Sequence, residues 1–449
     1  MNESIAKCFK GVYTCIDVHG EIYSKVWGSD YLMKQITAIL IGAGLRGNTY
    51  SVHALKHPEE LRIVGVAESD NIRRREYQEK YNLPDESCLK TWQDVFAKDK
   101  WADVVMICTQ DAMHYQPAMA AIEKGYDILL EKPIAPTAKE CQDIAEAAKT
   151  KGVKVIVCHV MRYMPIFEQI KEIVESGEIG RIVQIVHNEN VGDFHHAHSF
   201  VRGNWRNLKE SSPMILAKSC HDLDLLLWLI GKKCLRLSSF GSLSHFNKEN
   251  CPPGAPARCT DGCTIDCPYH ARKVYVEGGS EWFRSASAGH ANPTDAEVEA
   301  AILNGPYGRC VYQCDNDVVD HQVVSMEFED GIHVIFSMSA FTPDISRSIK
   351  IMGTKGQIKA HTVPNAIIVS KFVTYPQLHD REMVIPYDES DAHQGGDSGM
   401  ISNFCAYMRG EDRPHGISEV HISAWNHLLC FAAEKSRLSN GQVIDLESM

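Results

Sequence analysis

The sequence predicts an α/β protein in two parts: an N-terminal doubly wound parallel sheet, then an α+β domain with a large, open, mostly antiparallel sheet. Three observations carry this reading. A continuous apolar run, Ile36 to Ile41, opens directly into Gly42-x-Gly44-x-x-Gly47. From Gln35 to about Cys158, short apolar runs alternate with helical stretches, the pattern of βαβ units. After Arg162 the texture changes to strands of alternating or near-continuous apolar character, and Asp330-Gly331 lies between two of them as a hairpin turn.

The glycine stretch organises the N-terminal part. A short run apolar on both faces suits a strand inside a parallel sheet. Gly42 allows the tight turn, Gly44 lets the backbone approach a pyrophosphate, and Gly47 lets the next helix pack close to the strand. That helix would aim its free N–H groups at the phosphates. A second apolar run, Leu61 to Ala67, ends at Glu68, 21 residues after Gly47. An acid there suits a ribose 2′-hydroxyl, which predicts a Rossmann domain that prefers NAD to NADP. Arg73, Arg74 and Arg75 lie just beyond and could accept a 2′-phosphate instead.

The remaining elements follow in order. Helices are read at Arg73 to Tyr81, Trp92 to Ala97, His114 to Lys124 and Ala138 to Thr150, and strands at Asp103 to Cys108, Tyr126 to Glu131 and Val153 to Cys158. In the second half, Ile166 to Ser176 is a helix with Gly177 past its end, and Met214 to Ile230 is one helix closed by Gly231. Strands are expected at Arg181 to Asn188, Val323 to Phe328, His333 to Met338, Ser348 to Met352 and Ala366 to Phe372, and the last helices at Met400 to Met408 and Val420 to Ser436. The expected division is residues 1–34, an N-terminal extension; 35–160, the nucleotide domain; and 161–449, a substrate and oligomerisation domain. A Cys-rich, irregular excursion occupies 241–318 of the last part.

Composition sets the class. A chain of 449 residues with 44% hydrophobic content can build two or three ordinary cores. A net charge of −12 argues against nucleic acid or an anionic membrane as the partner. No apolar run approaches a membrane span, and the N-terminus shows neither a signal-type apolar core nor a twin arginine, so the expectation is a cytoplasmic protein. Cysteines in buried-looking elements (Cys108, Cys158, Cys430) suit free thiols in a reducing compartment.

Three stretches carry candidate chemistry. Glu131-Lys132-Pro133 follows a parallel strand, where ligands bind in this architecture. Lys132 can project into the cleft and stabilise charge building on a reacting oxygen; the alternative is a solvated lysine. Lys218-Ser219-Cys220-His221-Asp222-Leu223-Asp224 opens an apolar helix, and His221 is suited to take a hydroxyl proton near neutral pH. Cys108-Thr109-Gln110-Asp111-Ala112-Met113-His114 is read as a wall of the nicotinamide pocket or as an ordinary helix cap. Polar groups that could line a sugar site include Asn188, Glu189, Asn190, Asp320 and His393, whereas the run His195, His196, His198 reads as a solvated loop.

Together these residues resemble the Gfo/Idh/MocA oxidoreductases (the glucose–fructose oxidoreductase, inositol dehydrogenase and rhizopine-catabolism family). The carriers are Gly42 to Gly47, Cys108-Thr109 with His114, Glu131-Lys132-Pro133, Arg162-Tyr163 before a helix ending Ser176-Gly177-Glu178-Ile179-Gly180, and Asn204-Trp205-Arg206. His221-x-x-Asp224 before Trp228-Leu229-x-Gly231, Gly353-Thr354-x-Gly356 and His393-x-Gly395-Gly396-Asp397 complete the match, which runs from about Lys34 to the C-terminus. The resemblance implies a sugar or cyclitol substrate, NAD as cofactor and homo-oligomers built through the C-terminal sheet.

The resemblance also implies site residues. The catalytic set is Lys132 and His221, with Lys218. The cofactor set is Gly42, Gly44, Leu45, Arg46, Gly47, Glu68, Cys108, Thr109, His114, Glu131 and Lys132. The substrate set is Arg162, Tyr163, Asn190, Trp205, Arg206, Asp222 and His321. One departure stands out. The family commonly places an Asp four residues before the histidine with a Gly between; here those positions are Ala217 and Ser219, so Lys218 or Asp222 replaces the missing group.

The Lys218-x-Cys220-His221-Asp222 form with a Cys-rich loop looks like a subgroup that oxidises a pyranoside C3-hydroxyl to a 3-keto sugar. A redox-neutral glycosidase that keeps its NAD, a cyclitol dehydrogenase and a non-catalytic NAD sensor are the alternatives. Cys259-x3-Cys263-x3-Cys267-x2-His270 has ligand types for structural zinc, with packed free thiols or a disulfide as the other readings.

Overall fold

The computed structural model describes Val12–Ile16, Ile22–Val26 and residues 34–448, except 279, 375–376, 378, 389–390 and 412–415. The possible domain start at Met33 lies outside the described residues. Within the expected extension, Val12–Ile16 pairs antiparallel with Ile22–Val26.

The N-terminal sheet has six parallel strands in the order Cys88–Leu89, Leu61–Ala67, Ile36–Ile41, Val104–Ile107, Asp127–Leu130, Val155–Val157. Numbered along the chain this is 3-2-1-4-5-6, the doubly wound order, with the switch point beside Ile36–Ile41. Successive residues of that strand feed opposite faces: Ala38 and Leu40 join one core, Ile39 and Ile41 the other. The connecting helices start on side-chain caps where the sequence supplies them. Asp70 accepts from Ile72 and Arg73 N–H, and Thr137 caps Ala138–Lys151, which closes on left-handed Gly152.

The second sheet has nine strands: His379–Val384, Asn365–Lys371, Gly356–Thr362, Ser346–Gly353, Ile182–Asn190, Ile332–Ser339, His321–Phe328, Cys234–Ser242 and Ile444–Asp445. Ile182–Asn190 and Ile332–Ser339 run parallel and the other described pairs antiparallel. Asp330 and Gly331 both take positive φ, 60° and 69°, as the tight hairpin turn requires. One face of the sheet packs on Pro165–Glu175, Cys220–Ile230 and Val420–Leu438. The other leaves Val183, Phe240, Val323 and Ile335 exposed. The C-terminal helices also serve the first sheet: Met400 and Phe404 enter one of its cores and Val420 the other. No helix among the described residues is long and apolar enough to cross a membrane.

Three expectations change. The helix expected over Met214 to Ile230 is two, Met214–Ala217 and Cys220–Ile230, broken at Lys218 and Ser219. The excursion is not irregular throughout. Glu281–Ala288 and Asp295–Asn304 are helices, and Tyr275, Phe283, Val298 and Ile302 form a core of their own. The excursion and its neighbours bury two of the three histidines expected in solvent and half-bury His195. His198 stacks between the rings of Phe283 (4.2 Å) and Tyr307 (4.8 Å), and His196 is fully buried against Phe200 and Phe246.

Candidate active site

The glycine turn sits at the C-terminal edge of the parallel sheet. Gly42 has φ +92°, and a Cβ there would lie 2.7 Å from the Cys108 carbonyl oxygen. A Cβ on Gly47 would collide with the Gly42 carbonyl oxygen and the Leu40 side chain. A Cβ on Gly44 would meet nothing within 4 Å. Two glycines are thus demanded by packing and the third faces open space, the arrangement a pyrophosphate needs. Glu68, at the end of the second strand, accepts from the Ala43 N–H at 2.8 Å and the Asp70 N–H at 2.9 Å, which ties its carboxylate to the turn. Arg74 donates to the Glu68 carbonyl oxygen and Arg73 to that of Gly289 in the excursion. The residues present therefore fit a dinucleotide.

The next strands bring Cys108 and Glu131 to the same edge. The His114 ring lies 2.7 Å from the Pro133 carbonyl oxygen and 3.0 Å from that of Thr109, clamping the two turns together. Glu131 is buried and pairs with Arg46 Nε at 2.9 Å and Tyr50 OH at 2.8 Å. The Arg46 guanidinium also pairs with Asp397, so its side chain is committed to carboxylates from both halves of the molecule. Asp397 is buried, which alone would raise its carboxyl, but the His393 hydrogen bond and the Arg46 charge hold it below the usual range.

Lys132 reaches across to the second domain. Its Nζ donates to the Ala217 carbonyl oxygen at 2.7 Å, at the break in the expected long helix. The break turns Lys218 toward the sheet and sets His221 in the first turn of Cys220–Ile230. His221 is 6% exposed, with ring centres of His159 at 5.9 Å and His393 at 6.2 Å. Burial first, then the Lys132 charge and the neighbouring His159, His393 and Arg347, push its pKa well below the usual histidine value. The ring is neutral at physiological pH and free to accept a proton.

Behind these groups lies a buried charged cluster. Lys218 Nζ is 3.3 Å from Glu189 Oε1, and Arg347 pairs with both Glu189 and Asp222. His187 Nε2 lies 2.8 Å from Asp222 Oδ1. Glu189 and Arg347 face each other across antiparallel strands, and His187 and Glu189, two residues apart, point to the same side.

Several expected substrate residues are placed elsewhere. Arg162 is buried in a two-pronged pair with Asp224, both bonds 2.6 Å, and Tyr163 is buried in a core. Burial commits both to holding the fold together. Asn190 lies one residue from Glu189 and so on the opposite face of the sheet, donating to Ser346 Oγ at 2.8 Å. Asp222 serves the buried cluster. Trp205 Nε1 donates to Asp111 Oδ1 at 3.2 Å, which with Ser211 and Ser212 docks this loop on the nucleotide domain. Arg206 pairs with Asp315 and Glu210. His321 bonds Asp320 and Ser242 at the sheet's end.

The zinc expectation is corrected. Among the described residues, Cys259, Cys263, Cys267 and His270 do not bring three ligand atoms within sharing distance of a metal, and their cysteines are free thiols. Cys259 instead packs with Tyr275 and Phe283, and its sulfur accepts from Arg202 at 3.5 Å.

Strand order and glycine turn define a protein of the Rossmann dinucleotide-binding class. The chain belongs to the Gfo/Idh/MocA family: residues 36–159 match its "Oxidoreductase family, NAD-binding Rossmann fold" and residues 167–359 its "GFO/IDH/MocA C-terminal domain". YteT of Bacillus subtilis strain 168, named as an oxidoreductase, is 24% identical over 362 residues, 76% of this chain and 81% of its own length. An inositol dehydrogenase homolog from Azotobacter vinelandii, complexed with NAD+, superposes with a TM-score of 0.66 at 16% identity, covering 94% of this chain and all of that one. A levoglucosan dehydrogenase in complex with NADH and L-sorbose gives 0.66 at 17% identity over 92% of this chain and 99% of its own. At these identities the two structures bear on the fold.

Proposed function

We propose that the protein is an NAD-dependent oxidoreductase acting on a sugar or polyol hydroxyl, with the C3-hydroxyl of a pyranoside as the reacting group. The observation that supports this most is the convergence of Lys132, His221 and Lys218 at the edge of the parallel sheet, beside a glycine turn open at Gly44. The N–H groups after Gly44 (Leu45, Arg46), Glu68 and the Cys108–Thr109 wall hold the cofactor, and bound NAD supplies the hydride acceptor.

This chain's residues do the rest. Neutral His221 accepts the hydroxyl proton as the C–H hydride departs. Lys132 donates to the developing alkoxide, exchanging its Ala217 carbonyl partner for the substrate oxygen. Lys218 adds a second positive group on the same side. Inositol and levoglucosan in the names of structural neighbours favour a polyhydroxylated ring as substrate. The exposed apolar row Val183, Phe240, Val323 and Ile335 on the open sheet supports a homo-oligomer through that face. Free thiols throughout the described residues suit a cytoplasmic setting.

The test is absorbance in the reduced-nicotinamide band of purified protein with glycosides, free sugars and inositols in turn. A substrate-dependent rise is expected with glycosides, and a rise that stops at one equivalent without added NAD marks a retained cofactor. Lys132→Ala should keep NAD binding and lose about 10²–10³-fold in turnover. Unchanged turnover in that variant would sink the assignment.

A further inference from the structure

The cluster behind Lys218 asks for an explanation beyond packing. Four charged or titratable groups (Glu189, Arg347, Asp222, His187) are buried together against the half-buried Lys218, beside Lys132 and His221. Arg347 and Asp222, with His187, already balance one positive charge against one negative. Glu189 is the addition. It is 1% exposed, its strand aims it at the broken helix, and among the described residues it is the one carboxylate within ion-pair distance of Lys218. A buried carboxylate is costly unless something uses its charge.

We propose that Glu189 is a positioning residue of the active site, holding the Lys218 side chain toward the cleft and setting its charge. The inference rests on the oxidoreductase reading above and deepens it. Lys218 lies between two cations, Lys132 from the turn after the fifth strand and Arg347 from the neighbouring sheet strand, with the neutral His195 and His393 rings close by. Burial and these charges favour its neutral amine, while Glu189 and then Asp222 favour the ammonium. Removing the Glu189 charge therefore removes the largest force that keeps Lys218 charged. The carboxyl is itself poised to switch. Burial, with Asp222 alongside, lifts it to about 7 against the opposing Arg347 and Lys218. The Lys218 partnership is then complete above neutrality and lost as Glu189 protonates below it.

Glu189→Gln imitates the protonated form in nearly the same shape. In wild type, kcat/KM should fall as pH drops from 8 to 6. In Glu189→Gln it should be flat over that range and held near the low wild-type value, 10- to 100-fold down, with NAD affinity unchanged. In a Lys218→Met background, Glu189→Gln should add less than 2-fold, because its effect runs through Lys218. A readout without turnover comes from trace acetylation with acetic anhydride at pH 8, followed on the Lys218 peptide by mass spectrometry. Glu189→Gln should label at least 3-fold faster, since the amine loses the anion that favours its charged form.

A wild-type pH profile and labelling rate in Glu189→Gln would overturn the proposal, as would full additivity with Lys218→Met. If Glu189→Gln does not fold, Glu189→Asp serves, with faster labelling expected and an unchanged rate overturning the proposal. Absence of hydride transfer from any sugar in wild type would instead strike the oxidoreductase reading, and the labelling comparison would still decide the Lys218–Glu189 pair.

Discussion

At the scale of single residues, the site is held together by buried charges whose partners are far apart in sequence. Arg46 is the clearest case, pairing with Glu131 from the first sheet and with Asp397 from the C-terminal helix, 6% and 1% exposed as side chains. Arg46→Leu leaves two buried carboxylates without their cation. That should cost about 3–5 kcal/mol in urea unfolding, more than an exposed ion pair could account for. A loss under 1 kcal/mol would mean that the carboxylates find solvent. Partnerships of this kind were poorly legible in the sequence. Arg162 looked like a sugar ligand because its motif and polarity allow it, but the burial that commits it to Asp224 is a tertiary fact. Asn190 and Glu189 were both readable as polar groups near a strand end. Strand alternation sends one to the open face and the other to the site, and only the register against Arg347 shows which.

At the scale of elements, legibility followed the strength of local signals. Five of the six strands of the parallel sheet were found within a few residues of their ends because both-face burial writes a continuous apolar run; the two-residue edge strand Cys88–Leu89 writes none and went unread. The break at Lys218 and Ser219 was missed because neither residue is a helix breaker and the apolar pattern runs through it. It is nevertheless what exposes the Ala217 carbonyl oxygen to Lys132. Cys234–Ser242, Gly356–Thr362 and His379–Val384 went unread because their alternation is diluted by small and charged residues. The glycine turn gives an element-level prediction that separates folding from cofactor binding. Gly44→Ala adds a methyl to open space at φ −74° and should leave the melting temperature within about 1 °C while weakening NAD binding at least 10-fold. Gly42→Ala meets both a positive φ and the Cys108 carbonyl, and should destabilise the apo protein by more than 1 kcal/mol. Equal melting curves for the two variants would refute this division of labour.

At the scale of the whole molecule, neutral histidines are buried both between the two halves (His159, His427) and inside the second (His196, His198), and this sets the response to acid. Burial holds His159 and His196 at about 4 and His198 and His427 at about 3, against 6.5 for a free side chain. Between those values the unfolded chain binds more protons than the folded one, so stability rises with pH across the window. It is fully present above about 6.5 and is lost as pH falls from there toward the folded values. Each ring contributes about 1.4 kcal/mol per pH unit, or about 2 kcal/mol by pH 5. Glu189 works in the opposite sense, since its raised pKa makes the folded state the better proton binder below neutrality, and it offsets roughly one ring. The depressed carboxylates Asp222 and Asp397 lose their contribution only below the window, as pH falls through about 4 and lower. A net loss of several kcal/mol by pH 5 is comparable with the whole stability of an ordinary domain. Calorimetry from pH 8 to 5 should show a nearly constant melting temperature above 7 and a steep fall below 6.5; a flat curve to pH 5 would show that these rings are solvated. His427 ties this acid response to the turn that carries Lys132. Its Nδ1–H donates to the Ser423 carbonyl oxygen at 2.7 Å, and its Nε2 accepts the Ile134 N–H at 3.0 Å, an arrangement open only to the neutral ring. Ile134 follows Lys132-Pro133, so the neutral ring anchors the turn that carries Lys132, and with a folded value of about 3 it stays neutral in the folded protein through pH 5. His427→Gln keeps a donor and an acceptor but cannot titrate, so its melting temperature should fall less between pH 7 and 5 than that of the wild type; an equal fall would show that His427 carries no share of the acid response.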